Sequence, residues 1–287
     1  KELAENFKIA GETFAEADDT LGFRLSRLCF EGPEDQLKLT ANTQPAILTV
    51  SIAALRVVRT ETPLTAAYLA GHSLGEYSAL VAAGALGFAD ALRIVRARGT
   101  YMQEAVPQGV GTMAAILGVE PDILAGICQE AAQGEIVSPA NFNSPGQIVI
   151  AGHAGAVGRV IEIAKERGYR KAMLLPVSAP FHCSLMAPAG KRLGETLAGV
   201  STAPPEIPVV TNVEARPNKD KERVKELLVS QVSAPVLWEA SVQFMVEHGV
   251  ERFIEIGPGK VLSGLVKRIA KGVDVRNVED IATFKAL

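Results

Sequence analysis

A serine, a histidine and an arginine carry the chemistry legible in this chain. Ser73 sits in Gly71-His72-Ser73-Leu74-Gly75, a G-x-S-x-G between a predicted strand at 66–70 and a predicted helix at 74–83. In that context a sharp strand-to-helix turn lifts the serine hydroxyl above a sheet, and the glycines leave room for the strained backbone. The start of the helix adds partial positive charge and free N–H groups, which makes the Leu74 N–H a candidate oxyanion donor. The alternative is a glycine-rich turn formed by chance, which the strand-turn-helix setting argues against.

A serine nucleophile needs a base, and the chain has four histidines. His72 lies inside the turn, His153 opens a predicted helix, and His248 precedes Gly249 at a helix end. His182, in Pro180-Phe181-His182-Cys183, follows a strand predicted to end at 177 and stands at the lip of a helix, where its side chain can project over the sheet edge. It is the candidate general acid/base. The usual third member is an acid between serine and histidine in chain order. Asp90 and Asp122 read as helix-start residues instead, so a backbone carbonyl or an amide side chain is expected to orient the imidazole. Cys183 reads as a buried, inert thiol, because adjacent residues rarely present their side chains to each other.

Arg98 is the most informative charge. Projection of the helix predicted at 90–104, at about 100° per residue, places Arg98 among Ala91, Ile94, Val95 and Met102, while Arg93, Arg96 and Thr100 take the opposite face. A guanidinium on an apolar face needs a partner. That partner is an internal carboxylate, or the side chain snorkels to water, or Arg98 grips a substrate carboxylate through its bidentate fork. Gln44, in Asn42-Thr43-Gln44-Pro45-Ala46, reads equally as a helix-start cap or as a polar group aimed at the site. Gly257-Pro258-Gly259-Lys260 lacks the spacing of a phosphate loop and reads as a strand-to-helix turn. Lys165, Arg167, Arg170 and Lys171 form the densest basic stretch, either a solvated face or a place for an acidic partner to dock.

The elements that must position these residues alternate helices with short apolar runs, the pattern of an α/β fold. Helices are predicted at 42–59, 184–198, 221–229 and 236–248, and strands at 208–211 and 252–256. Asp90 is expected to cap the helix that carries Arg98. Between 109 and 178 the rhythm changes to strand 112–117, helix 121–132, two extended segments over 136–151, a helix ending at 167 and strand 171–177. That βαββαβ order is the ferredoxin-like unit, read as a small inserted subdomain at 109–178 of a core built from 1–108 and 179–287.

Composition limits the alternatives. With 287 residues, 48% hydrophobic, and 29 basic against 32 acidic side chains, the chain can build a large core and is not basic enough overall for bulk nucleic-acid binding. Cys29, Cys128 and Cys183 are widely spaced with no C-x-x-C pair, so neither a disulfide framework nor a zinc site is signalled, and a reducing, cytoplasmic compartment fits. The longest uncharged stretch, 39–55, is too short and polar to span a membrane, and no signal peptide is evident. The first residue is Lys1, inside what reads as an amphipathic helix, so a preceding segment is expected.

With Ser73, Arg98 and His182 in hand, the sequence resembles the malonyl-CoA:acyl carrier protein transacylases of bacterial fatty-acid synthesis and, more distantly, polyketide-synthase acyltransferase domains. The matching segments are Gln44-Pro45-Ala46, Gly71 to Tyr77, Arg96-Ala97-Arg98-Gly99 with Met102-Gln103, Asn141 to Gln147, Pro180-Phe181-His182 and Gly257 to Leu262. The resemblance implies an α/β-hydrolase-like core with a parallel sheet around the inserted subdomain. It makes Ser73 the acylated nucleophile, His182 its base and Arg98 the ligand of the malonyl carboxylate. It also implies that Gln231 offers its backbone carbonyl to the histidine. The substrates it implies are coenzyme A thioesters and holo acyl carrier protein, with no cofactor or metal, no nucleic acid or membrane partner, and action as a monomer. The family begins with a strand and a Gly-Gln-Gly-Ser-Gln segment whose first glutamine helps form the oxyanion hole, and these are expected upstream of Lys1. Two rival readings remain: a serine esterase or thioesterase that delivers the acyl group to water, and a non-catalytic subunit that docks a carrier protein.

Overall fold

The computed structural model describes residues 1–177 and 179–287 of a mixed α/β protein. Four helices, α1 (Glu2–Asn6), α2 (Lys8–Leu21), α3 (Leu25–Glu31) and α4 (Glu34–Leu37), lead into the long α5 (Thr40–Glu61). Strand β1 (Leu69–Ala70) then turns through Ser73 into α6 (Leu74–Ala82), followed by α7 (Phe88–Glu104). Gly84, with φ of 71°, closes the first of this pair. Asp90 does not cap the second. Phe88 is buried and starts the helix one turn earlier behind an extended Gly87, which leaves Asp90 in the first turn, paired with Arg93.

Strands β2 (Gly111–Leu117), β3 (Val137–Ser144), β4 (Gln147–His153) and β5 (Lys171–Leu174) form an antiparallel sheet in the order β3-β4-β2-β5. Helices α8 (Pro121–Ala132) and α9 (Ala154–Glu166) pack on it over a separate core that includes Ile116, Leu124, Ile127, Ile148, Ile150 and Val157. β5 stops short of the predicted end at 177, because Pro176 has no N–H for a ladder. Ser178, the end of the predicted subdomain, lies outside the described residues.

The remaining elements are a 3₁₀ turn (Ser184–Met186), α10 (Ala187–Ala198), β6 (Val209–Val210), β7 (Pro217–Asn218), α11 (Lys221–Ser233), α12 (Trp238–Glu247), β8 (Arg252–Ile256), α13 (Val261–Ile269), β9 (Asp274–Val278) and α14 (Ile281–Lys285). The predicted helix at 184–198 opens as 3₁₀ because Pro188 cannot donate to the Ser184 carbonyl. Parallel pairing joins β1 to β6 and β8 to β9 as two separate pairs, while β7 adds antiparallel to β6. β6 is shorter than predicted because the Asn212 N–H leaves the ladder for the carboxylate of Glu76. α12 starts later than predicted because Val236 is tied to β3, donating to Ala140 O and accepting from Phe142 N–H. That bridge anchors β3 beside α12 and α13, while α6, α7 and α11 share one apolar core with α10.

Candidate active site

The turn at Ser73 is strained and crowded. Ser73 has φ of 50° and ψ of −105°, a conformation that costs about 1–3 kcal/mol and persists only where the surroundings hold it. A Cβ on Gly71 would stand 2.1 Å from the Gly75 carbonyl carbon and oxygen, so only glycine permits this closure. Asn212 secures it from across the sheet: its Oδ1 accepts the Ser73 N–H at 2.6 Å and its Nδ2 donates to Gly71 O at 2.7 Å. Leu74 opens α6, so its N–H is among those with no partner inside the helix.

Ser73 Oγ lies 2.7 Å from His182 Nε2. His182 Nδ1 lies 2.8 Å from the Gln231 carbonyl, which can only accept. The proton therefore sits on Nδ1, and Nε2 faces the serine as an acceptor. Gln231 falls within the last turn of α11, which runs past the predicted end at 229. Four residues on, Pro235 has no N–H, so the Gln231 carbonyl has no helical partner and is free for the imidazole. Burial, and next the positive charge of Arg98, push the His182 pKa down to about 3, so the ring is neutral and able to take a proton at ordinary pH.

Arg98 is 2% exposed. Nη1 donates to Gln44 Oε1 at 2.7 Å, and Nη2 donates to Gln231 Oε1 at 2.9 Å and to Ser73 Oγ at 3.0 Å. Its guanidinium carbon lies 5.4 Å from the centre of the Tyr77 ring, and its Nε has no hydrogen-bond partner among the described residues. No carboxylate among the described residues pairs with it directly, and burial lowers its pKa. The helices carrying Gln44 and Arg98 touch at Gly99, where a Cβ would stand 2.6 Å from Thr40 O. Gln44 is therefore not a cap; it lies inside α5 and faces Arg98.

The other reactive-looking residues lie apart. His153 Nδ1 accepts from Ile136 N–H, and His248 Nδ1 bonds Phe244 O. Cys183 donates to Pro180 O, and burial raises its thiol to about 11. A hollow of about 440 Å³ bounded in part by Thr112, Gly158, Ile161 and Leu174 shares no residue with the Ser73 cluster. Among the described residues no group of three His, Cys, Asp or Glu side chains could hold a metal, and no helix is long and apolar enough to cross a membrane.

The acyl transferase domain family matches residues 4–285. The chain belongs to this acyl transferase family. Among curated relatives, the malonyl CoA-acyl carrier protein transacylase of Salmonella typhimurium is 48% identical over 285 residues, covering 99% of this chain and 92% of the relative. That of Bacillus subtilis is also 48% identical, covering 99% and 90%. The solved acyl carrier protein S-malonyltransferase of Vibrio cholerae superposes with a TM-score of 0.97 at 48% identity, covering 99% of this chain and 93% of that one. A type II polyketide-synthase malonyl-transacylase solved with its holo acyl carrier protein has a TM-score of 0.97 at 46% identity, covering 99% and 92%.

Sequence reasoning gave no role in this acyl transferase to Glu76, Asn212 or the side chain of Gln231. Glu76 Oε2 accepts from Gln231 Nε2 at 2.8 Å and from Asn212 N–H at 3.1 Å, and Gln231 Nε2 also donates to Ser73 O at 3.0 Å. One signal was available. Ser73-Leu74-Gly75-Glu76 has the S-x-x-E spacing of a helix capping box, yet no side-chain cap forms at α6. Both side chains are diverted into the site.

Proposed function

We propose that this acyltransferase moves a malonyl group from malonyl-CoA to the phosphopantetheine thiol of an acyl carrier protein, through an ester on Ser73. His182 Nε2 takes the Ser73 hydroxyl proton as Oγ bonds to the thioester carbon, and the Leu74 N–H steadies the oxyanion that forms. The carbon–sulfur bond then breaks, and coenzyme A leaves as a thiol with the proton from His182. In the second half, His182 takes the carrier thiol's proton, the sulfur attacks the ester, and Ser73 recovers its proton as the malonyl thioester departs. Gln231 holds the imidazole through its carbonyl, and Gln44 holds the guanidinium edge beside the acyl group. No cofactor enters, because a thioester is already activated toward the serine.

The observation that carries this reading is Arg98: a buried guanidinium with only neutral partners, one of them the serine oxygen itself. A carboxylate on the acyl group supplies the missing counter-charge beside the attacked carbon. The names of the relatives support the same substrates. We read the frame as an α/β-hydrolase-like core, 1–108 and 179–287, around a ferredoxin-like subdomain at 109–178, and the order β5-β2-β4-β3 with two helices on one sheet supports the latter.

The test is intact mass before and after brief exposure to malonyl-CoA, with Ser73→Ala alongside. A malonyl adduct that the alanine variant lacks and holo carrier protein clears is the expected result. Steady release of free malonate with no transfer to the carrier would replace the transferase by a hydrolase, and an adduct that persists in Ser73→Ala would overturn the assignment of the nucleophile.

A further inference from the structure

Gln231 touches all three groups proposed to act in the transfer. Its carbonyl meets His182, its Oε1 takes Arg98 Nη2, and its Nε2 reaches Ser73 O. One of these contacts changes during turnover: Arg98 must give donors to the incoming carboxylate as Ser73 Oγ becomes an ester, which loosens its hold on Gln231 Oε1. The amide of Gln231 then depends on whatever anchor stays still. Glu76 is that anchor. It lies in the first turn of α6, takes no part in proton or acyl transfer, and one of its oxygens holds both Gln231 Nε2 and the Asn212 N–H. Asn212 in turn fixes the strained Ser73 backbone through its side chain.

On the functional reading above, we propose that Glu76 is a positioning residue, a fixed acceptor that keeps Gln231 and Asn212, and through them His182, Arg98 and Ser73, in register while Arg98 and Ser73 exchange partners.

Two features oppose a merely structural role. A side chain kept for helix stability would close the capping box, and Glu76 does not. A buried carboxyl without a direct cationic partner also destabilises the fold, and burial raises its pKa to about 7. An apolar residue of the same volume would pack there without that cost.

The chemistry of the contacts sets the test. Both bonds go to one oxygen, so Glu76→Gln keeps the acceptor and loses the charge. Glu76→Asp keeps the charge but withdraws the acceptor by one methylene, and Glu76→Met removes both bonds at similar volume. Single-turnover acylation of Ser73 by malonyl-CoA, with melting temperatures in parallel, should find Gln within about fivefold of the parent and Asp and Met slower by about 10², the cost of misplacing reacting groups by about 1 Å. The loss should fall on kcat rather than KM. Active Asp with inactive Gln would make charge the relevant property and overturn the proposal, as would Met at the parent's rate or losses that only track melting temperature. If Met does not fold, the order of Gln and Asp still decides. A fluorophosphonate, which needs only a reactive Ser73, should label the variants in the same order. If malonyl-CoA fails to acylate the parent, the functional reading falls, and the fluorophosphonate order still tests Glu76.

Discussion

Replacing Arg98 with methionine should abolish the preference for a carboxylated acyl donor without abolishing acyl transfer. In the resting site the guanidinium makes three bonds, to Gln44, Gln231 and the Ser73 hydroxyl, all neutral acceptors. Bonds with one charged partner are worth about 1.5–3 kcal/mol each, and pairing the guanidinium with a carboxylate moves each bond from the bottom toward the top of that range. Two donors that change from neutral acceptors to a carboxylate therefore gain about 2–3 kcal/mol, or roughly 30- to 140-fold in kcat/KM at 1.4 kcal/mol per tenfold. Acetyl-CoA offers no carboxylate, so its acylation gains nothing from the arginine. It also loses nothing when the arginine goes, because removing the positive charge lets His182 rise toward its ordinary pKa and become a better base. Rapid-quench acylation of Ser73 with each donor should show malonyl transfer falling by that factor and acetyl transfer holding or improving. Methionine fills most of the volume but strands the Gln44 and Gln231 oxygens, at about 1–3 kcal/mol each, so melting temperature must be followed alongside. Arg98→Lys, a point charge without the fork, should fall between the two. An equal loss for both donors would refute the selectivity role, and an unchanged malonyl rate would remove the arginine from the site altogether.

Gly99→Ala should separate α5 from α7, because its Cβ would stand 2.6 Å from Thr40 O and 2.8 Å from Ala41 Cα. Overpacking of this kind costs about 1–3 kcal/mol, a fall of roughly 2–5 °C in melting temperature, and KM should rise more for malonyl-CoA than for acetyl-CoA as Gln44 withdraws from Arg98. Glu76→Gln should stabilise the protein in a pH-dependent way. The folded state holds the Glu76 proton up to about pH 7, whereas the unfolded chain releases it near 4.5. The carboxyl's contribution to stability is thus complete below pH 4.5 and lost as pH rises through 7, a loss of about 3 kcal/mol. Glutamine does not titrate, so the melting-temperature advantage of the variant should grow from pH 4.5 to 7 and then level off. His182 acts in the opposite sense below its unfolded value of 6.5, but equally in both proteins, and cancels from the difference. An advantage independent of pH would refute the assignment of the buried proton.

The residues legible in the sequence are those whose chemistry depends on type and near neighbours. Ser73 stands out through its glycines, Arg98 through an apolar helix face, and His182 because the other histidines have local duties at turns and helix ends. The side chains of Glu76 and Asn212 were not legible, since their contacts join positions 136 and 139 residues apart and are set by which strand lands beside the turn. The Gln231 carbonyl was reached through the family resemblance, although Pro235 four residues later gives a local physical reason for it. In the fold, β9 escaped detection because Asp274, Arg276 and Asn277 make it polar, and it forms by lying parallel to β8. The strands predicted at 66–70 and 208–211 form only as the two-residue β1 and β6, whose limits are set by the turn and by Asn212.

The placing of Glu76 one residue away from Arg98 bears on how a buried cation can serve as a receptor. A carboxylate bonded directly to the guanidinium would satisfy it, and an incoming acyl carboxylate would have to displace a charge of its own sign in a poorly screened pocket. With no partner at all, the guanidinium would cost several kcal/mol to bury. The Gln231 amide stands between these limits. It accepts from Arg98 with Oε1 and donates to Glu76 through Nε2, so the cation is held by neutral bonds, and Glu76, once ionised above about pH 7, lends it counter-charge at one remove. Neutral bonds keep the arginine in place and yield to a carboxylate when one arrives. On the proposed function, selectivity therefore rests as much on the weakness of these resting partners as on the strength of the arginine fork.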